Sequence, residues 1–289
     1  MNSGIVFAEK PSGTSSSALV GKLKRKLGVK AGHTGTLDRF ADGLMILLAG
    51  QATAFSDYFL HLDKAYRAVI SFGKFTDTHD PAGIVMQEKT EEEARKFLKA
   101  NEKNLSAAVK EFEKIRSQIP PAYSALKKDG IRFSDRARKG ERLMPAERPV
   151  RIFKSELISL DIKVLTCTCE FHVSSGTYIR SLVRDLSIRL GFPAHLCSLT
   201  RIQIGPFSLD HVHPWENFDE MPFVIPVEDL VPWPKVLISK DDVKRIFNGQ
   251  IIRLPEIPTG DFFIFSEEKA LLAWAEGSEK SYRYRRVFH

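Results

Sequence analysis

The sequence predicts an α+β protein: a mixed β-sheet with helices packed around it, followed by a small β-rich C-terminal domain. Three observations point there. Segments that alternate apolar and polar, such as "KAYRAVISFG" (64–73) and "VLTCTCEFHV" (164–173), are interleaved with segments of helical period, such as "TYIRSLVRDLSIRLG" (177–191). A Pro-rich stretch, "VIPVEDLVPWPK" (224–235), reads as a linker and divides the chain into residues 1–234 and 235–289. Of the 289 residues, 43% are hydrophobic and 27% charged, ordinary values for a folded chain that can bury a real core.

The elements follow in order. "GIVFAEK" (4–10) is a strand, then a Pro-Gly turn leads to a helix capped by Ser15 or Ser16 and ended at Gly28. A short helix is expected from Asp42 to Leu48, closed by Gly50. After the strand at 64–73, "TDTHDPAGIV" forms a turn, and "EEEARKFLKA" (91–100) starts a helix with the acidic residues that its dipole favours. A second amphipathic helix is expected over about 106–117. Residues 120–150 are bracketed by prolines and dense in Lys and Arg. Next come the strand at 164–173, a helix with Ile179, Leu182, Val183, Leu186 and Leu190 on one face ending at Gly191, and a strand over 198–204. Beyond the linker lie one short helix, Lys240 to Phe247, and further strands.

Lys and Arg number 43 against 36 Asp and Glu, a formal charge of +7 that suits a polyanionic partner as well as a merely basic surface. The cysteines are Cys167, Cys169 and Cys197. Three is an odd number and the C-x-C spacing is not that of a zinc site, so they read as buried thiols in a reducing compartment. No stretch approaches the roughly 20 apolar residues of a membrane helix, and the N-terminal apolar run is too short for a signal peptide. A cytoplasmic protein is the expectation.

The stretch "GHTGTLDRFADGLMILLAGQAT" (32–53) carries the chemistry. It has neither the Lys nor the spacing of a phosphate-binding P-loop, and no dinucleotide fingerprint. What remains is a tight, glycine-framed loop that projects His33 and Asp38. Taken alone, Asp38 reads equally as the cap of the following helix and His33 as a packed loop residue.

A wider pattern changes that reading. "AGHTGTLDRFADGLMILLAG" resembles the central G-H-T-G-T-L-D motif of the TruB family of pseudouridine synthases. "EKPSGTSSSALV" resembles the segment that precedes it in that family, and "DKAYRAVISFGKFTDTHDPAG" its D-K-x-Y strand and T-D-T-x-D turn. "IPPAYSALKKDGIRFSDRARKGE" is similar to its P-P-x-Y-S-A-x-K insert, and "SSGTYIRSLVRDLSIRLG" to its G-T-Y-I-R helix. The five motifs stand in family order across residues 9–205. The resemblance implies a pseudouridine-synthase-type mixed sheet and the conversion of a uridine in the T arm of tRNA, conventionally position 55, to pseudouridine.

That reaction breaks the N1–C1′ bond, rotates the uracil and joins C5 to C1′. It involves no redox step or group transfer, so no cofactor and no metal are expected. It needs a nucleophile, and a carboxylate with an ordinary pKa of about 3.9 is ionised at neutral pH. The resemblance makes Asp38 that nucleophile, Arg180 the partner that pairs with it, and Tyr66 the ring that stacks on the flipped uracil. Tyr178 and Leu199 are implied to line the same pocket. His33 is implied to hold the T arm with the base extruded, which costs a few kcal/mol of lost stacking. Asp80 is a weaker candidate, either part of the site's polar network or a turn former.

From Lys127 to Arg151 nine basic residues stand against four acidic ones, a segment suited to an RNA backbone or to a solvated charged loop. The terminal "EKSYRYRRVFH" interleaves Tyr282, Tyr284 and Phe288 with arginines. It reads equally as a base-stacking strip or as a strand with its aromatics packed inward. Residues 235–289 resemble a PUA-type RNA-binding module. Three positions depart from the family pattern: Arg39 where proline follows the nucleophile, Ser134 where tyrosine is common, and Ser175 where lysine is common. The expected partner is tRNA, with no membrane, no obligatory protein partner and a monomeric state. The alternatives are an RNA-binding or tRNA-folding protein with little or no catalysis, and the related guide-RNA-dependent synthase.

Overall fold

A computed structural model describes residues 3–123, 127–128, 131–132, 145–209, 212 and 223–289. Its centre is an eight-stranded mixed sheet. In chain order the elements that build this part are β1 (Gly4–Lys10), α1 (Ser16–Leu27), β2 (Ala31–His33), β3 (Asp42–Ala49), α2 (Ser56–His61), β4 (Lys64–Phe72), β5 (Lys74–Thr76) and β6 (Val85–Glu88). These are followed by α3 (Glu91–Lys110), β7 (Ser117–Gln118), β8 (Lys127–Lys128), β9 (Ile131–Arg132), β10 (Arg148–Pro149), β11 (Ile152–Asp161), β12 (Thr166–Val173), α4 (Ile179–Leu190), β13 (Ala194–Ile204) and β14 (Phe207–Ser208). The sheet order is β1-β3-β13-β4-β12-β11, with β2 on β3 and β14 on β13. Every pairing in it is antiparallel except β3 with β13, which meet in parallel over only two residue pairs, Thr200 with Asp42 and Arg201 with Gly43.

The expected helix at Asp42–Leu48 is a strand instead. Leu44 through Ala49 are all buried, and successive residues enter two different cores. Met45 and Leu47 join Val6 and Ala8 on the face covered by α1, α3 and α4, while Leu44, Ile46 and Leu48 join Ile5 and Phe7 on the other. A strand apolar on both faces gives an unbroken hydrophobic run, which periodicity alone does not distinguish from a buried helical turn. The two expected helices at 91–100 and 106–117 are one 20-residue helix, α3, with a 3₁₀ turn at Glu111–Lys114. Thr90 and Glu93 form a reciprocal capping box at its start. α1 is capped by Ser15 and ended by Gly28 in the left-handed conformation, and Gly191 ends α4 in the same way.

The C-terminal part is a four-stranded sheet, β15 (Lys235–Ile238), β16 (Gly260–Ser266), β17 (Leu271–Gly277) and β18 (Tyr282–Val287), with α5 (Lys240–Phe247). Phe262 and Ile264 face Ile246 of α5, whereas Phe263 and Phe265 face the central sheet. The Pro-rich segment at 224–235 is not a free linker. Ile225 exchanges both backbone hydrogen bonds with Ile5 of β1, at 2.7 and 2.9 Å, and Val227 and Val231 are buried. Trp233 stacks into a ring cluster around Phe55, whose centroid lies within 5.9 Å of those of Trp233, Phe263, Trp274 and Phe288. The two sheets therefore share one apolar core.

Of the two readings of the terminal strip, the packed one holds. Tyr282 and Phe288 are buried, the Tyr282 hydroxyl bonds to both backbone groups of Ile252, and Tyr284 donates to the Gln250 carbonyl. Arg283 and Arg285 share Glu276. Cys167 and Cys169 are buried with sulfurs 3.8 Å apart, but Cys197 is exposed, contrary to expectation, because it lies at a register shift of β13. No helix is long and apolar enough to cross a membrane among the described residues.

Candidate active site

The loop from Gly35 to Ala41 joins β2 to β3 and is held by the segment that turns from β1 into α1. The Ser16 hydroxyl donates to the Leu37 carbonyl and accepts from the Leu37 amide, at 3.2 and 3.0 Å. Ser12 donates to the Phe40 carbonyl at 2.6 Å, and the Gly13 amide donates to the Arg39 carbonyl at 2.7 Å. The fully buried Lys10 donates from Nζ to the carbonyls of Pro11, Thr14 and Arg39. Burial lowers its pKa to about 8, although Asp42 and Asp38 pull it upward. Arg39, standing in for a proline, returns its own Nε to the Gly13 carbonyl at 2.8 Å. What a proline ring would supply by fixing φ is supplied here by a cross-link.

Asp38 stands on the floor of a cleft of about 380 Å³. Arg180, on the first turn of α4 and 4% exposed, reaches it with a forked contact: Nη2 donates to Oδ1 at 3.0 Å and Nε lies 2.8 Å from Oδ2. The same guanidinium donates to the carbonyls of Tyr123 and Thr78, and its Nη1 lies 3.4 Å from Oδ2 of Asp80. Asp80 is both things the sequence allowed. Its Oδ1 accepts from Thr78 and from the Ala82 amide, shaping the β5–β6 turn, while its other oxygen shares the arginine. Partial removal of the Asp38 carboxyl from water raises its pKa; Arg180 opposes this and Asp80 adds to it.

Tyr66 and Leu199 also line the cleft, from neighbouring strands β4 and β13. Tyr178 lines it from the residue before α4, with its backbone gripped by both ends of the Gln118 amide, at 2.9 and 3.1 Å. Arg148 lies over the Tyr178 ring, 5.9 Å from its centroid. Its guanidinium occupies the space that a Cβ at Gly176 would need, and Gly176 has φ +82°, so a side chain there is strained and displaces Arg148 from the Tyr178 ring. His33 is not brought to the cleft. It sits on β2 paired with Leu47, its Nδ1 buried without a hydrogen bond, and burial lowers its pKa. Ser175 uses its hydroxyl to bind the Leu60 carbonyl at 2.6 Å. Ser134 and the basic residues between 133 and 144 lie outside the described residues.

A family model described as the N-terminal domain of TruB family pseudouridylate synthases matches residues 22–179. A protein named tRNA pseudouridine synthase B from Leptospira interrogans (serovar copenhageni, strain Fiocruz L1-130) is 36% identical over 99% of this chain and 94% of its own. The protein of that name from Bordetella avium is 42% identical over 72% of this chain and 83% of its own. This chain belongs to the TruB family. Among solved structures, a chain of the Cbf5–Nop10–Gar1 complex superposes with a TM-score of 0.64 at 22% identity, covering 99% of this chain and 84% of that one. At that identity the likeness shows the pseudouridine-synthase fold alone.

Of the residues singled out from the sequence, Asp38, Tyr66, Tyr178, Arg180 and Leu199 are brought around one cleft from the β2–β3 loop, β4, β13 and the start of α4. The residues that hold them were not singled out. Lys10, Ser12, Ser16 and Gln118 act on main-chain carbonyls and amides far away in sequence, and Lys64 and Arg201 line the cleft as buried cations. The "KPSGTSS" run was the one signal for the first three: short polar residues before a helix exceed what one cap needs.

Proposed function

We propose that this TruB-family chain isomerises a uridine of tRNA to pseudouridine, acting in the T arm at the conventional position 55. The observation that carries the reading is the Arg180-held carboxylate of Asp38 at the floor of a cleft walled by Tyr66, Tyr178 and Leu199. A cleft of this volume accommodates a small-molecule-sized group such as an everted nucleoside. The names of the relatives supply tRNA as the substrate class.

In this reading Asp38 attacks as the nucleophile and Arg180 fixes which oxygen faces the sugar. Tyr66 stacks on the uracil, and Tyr178 and Leu199 exclude water from the breaking bond. His33, on the β2 edge, faces the T arm rather than the base. Residues 1–234 form the catalytic unit and residues 235–289 a PUA-like RNA-binding unit, in a monomeric, cytoplasmic enzyme that works without a protein partner, metal or cofactor.

The test uses an unmodified tRNA transcript and pure protein. Pseudouridine mapped in the T arm with wild type, and none with Asp38→Asn at unchanged tRNA affinity, is the expected result. Binding without conversion by the wild type would overturn the catalytic reading in favour of a tRNA-folding protein or a guide-dependent enzyme.

A further inference from the structure

Arg201 is the least accounted-for group at the cleft. On β13 it stands two residues after Leu199, on the same face, and is paired with Tyr66 of β4. It is 1% exposed, yet it lines the cleft that holds Asp38. Its Nε donates to the Leu44 carbonyl at 2.7 Å and Nη2 donates to the Gly35 carbonyl at 3.2 Å. These partners are dipoles, not charges. Among the described residues no carboxylate forms an ion pair with Arg201, and Lys10, His33 and Lys64 all feel it as a repelling cation. Arg180, by contrast, has two carboxylates.

An unpaired buried guanidinium is costly to the fold, by several kcal/mol. Bracing two carbonyls does not require a charge, since a neutral amide donates as well. The surplus positive charge calls for an anion that is present only during the reaction. When the N1–C1′ bond breaks, its electron pair leaves with the base, so uracil departs as an anion with charge spread over N1, O2 and O4. Asp38 donates a pair to C1′ and loses its own negative charge. The uracil then returns a pair from C5 to C1′ and the ester bond to Asp38 breaks. The C5 proton is lost to solvent while N1 gains one. Negative charge thus moves from the carboxylate beside Arg180 to the base beside Tyr66, and back.

We propose that Arg201 is the electrostatic counter-charge for the departing uracil anion, held at the cleft wall by the Gly35 and Leu44 carbonyls on the strand position paired with Tyr66. It rests on the pseudouridine-forming reading above. A group positioned in advance where charge develops acts on the transition state more than on binding.

The experiment compares two tRNA transcripts, one with uridine and one with 5-fluorouridine, whose more acidic ring makes a more stable anion. Single-turnover loss of the N1–C1′ linkage is followed by digestion and chromatography. The proteins are wild type, Arg201→Gln and Arg201→Met, which are neutral, and Arg201→Lys, which keeps the charge. On uridine the neutral variants should be slowed about 100-fold, Arg201→Lys less, with tRNA affinity unchanged. On 5-fluorouridine the defect of the neutral variants should shrink about tenfold or more. Equal defects on both substrates, or Arg201→Gln faster than Arg201→Lys, would make Arg201 a carbonyl clamp and overturn the proposal. Two neutral variants guard against one that does not fold. A wild type that breaks the linkage in neither transcript overturns the functional reading itself; an active wild type with equal defects overturns only this assignment.

Discussion

Arg180 and Asp38, 142 residues apart in the chain, meet through two guanidinium nitrogens and two carboxylate oxygens at 3.0 and 2.8 Å. Because the same guanidinium also binds the carbonyls of Tyr123 and Thr78, its plane is fixed before any substrate arrives.

Arg180→Lys keeps the charge and loses the fork. Single-turnover pseudouridine formation should fall about 10²–10³-fold, while tRNA affinity by filter binding stays constant. Arg180→Met leaves two carboxylates beside each other without their shared cation and should cost about 3–5 kcal/mol of stability in denaturant titration.

The pH profile follows from the direction of the Asp38 shift. Burial raises its pKa, so the protonated, inactive form persists to higher pH than for an ordinary aspartate near 3.9. The rate should be lost as pH falls through that raised value. Asp80 contributes to the rise and Arg180 opposes it. Asp80→Asn should therefore move the acid limb of the single-turnover rate down, and Arg180→Lys, with its poorer contact, should move it up. A limb that does not respond to Asp80→Asn would show that another group sets it.

Lys10→Met tests how the loop is held. Three carbonyls lose the Lys10 ammonium; those of Arg39 and Pro11 keep the Gly13 and Thr14 amides, and a buried acceptor left unsatisfied costs about 1–3 kcal/mol. Thermal unfolding should show the loss of stability. Turnover should drop even well below the melting temperature, because the Arg39 carbonyl lies one residue from Asp38. Full activity at reduced melting temperature would confine Lys10 to the fold.

Phe55→Ala removes the ring at the centre of the cluster that joins the two sheets. A loss of about 3–5 kcal/mol is expected, with a red shift in the emission of Trp233 and Trp274, whose rings contact it. Unfolding monitored by tryptophan should then precede unfolding monitored by far-UV circular dichroism.

Legibility in the sequence followed the range of the interactions. Helix caps at Ser15, Gly28 and Gly191 are local and were readable, as was α5. β3 was not, because its apolar run is explained only by cores on both sides of the sheet. Asp38, Tyr66 and Arg180 were reached through motifs in a set order, not through any property of an isolated Asp, Tyr or Arg. Arg201 stayed hidden because its partners are the carbonyls of Leu44 and Gly35, 157 and 166 residues away, and a main-chain oxygen leaves no mark on residue identity. The linker at 224–235 misled because prolines also suit an ordered segment laid along a strand edge, as Ile225 is along Ile5.

The two-pair contact between β3 and β13 has a mechanical consequence. Along the path β1-β3-β13-β4-β12-β11 it is the narrowest seam, and Gly43 lies so close to the Arg201 backbone that no side chain fits there. Asp38 is mounted on one bank of that seam, ahead of β3, while Tyr66, Leu199 and Arg180 are carried by β4, β13 and α4 on the other. Two side chains cross the seam: Arg180 reaches Asp38, and Arg201 reaches the Leu44 and Gly35 carbonyls. With so short a strand ladder, the spacing between the carboxylate and the facing wall is set by two guanidiniums and by the Cβ that Gly43 lacks.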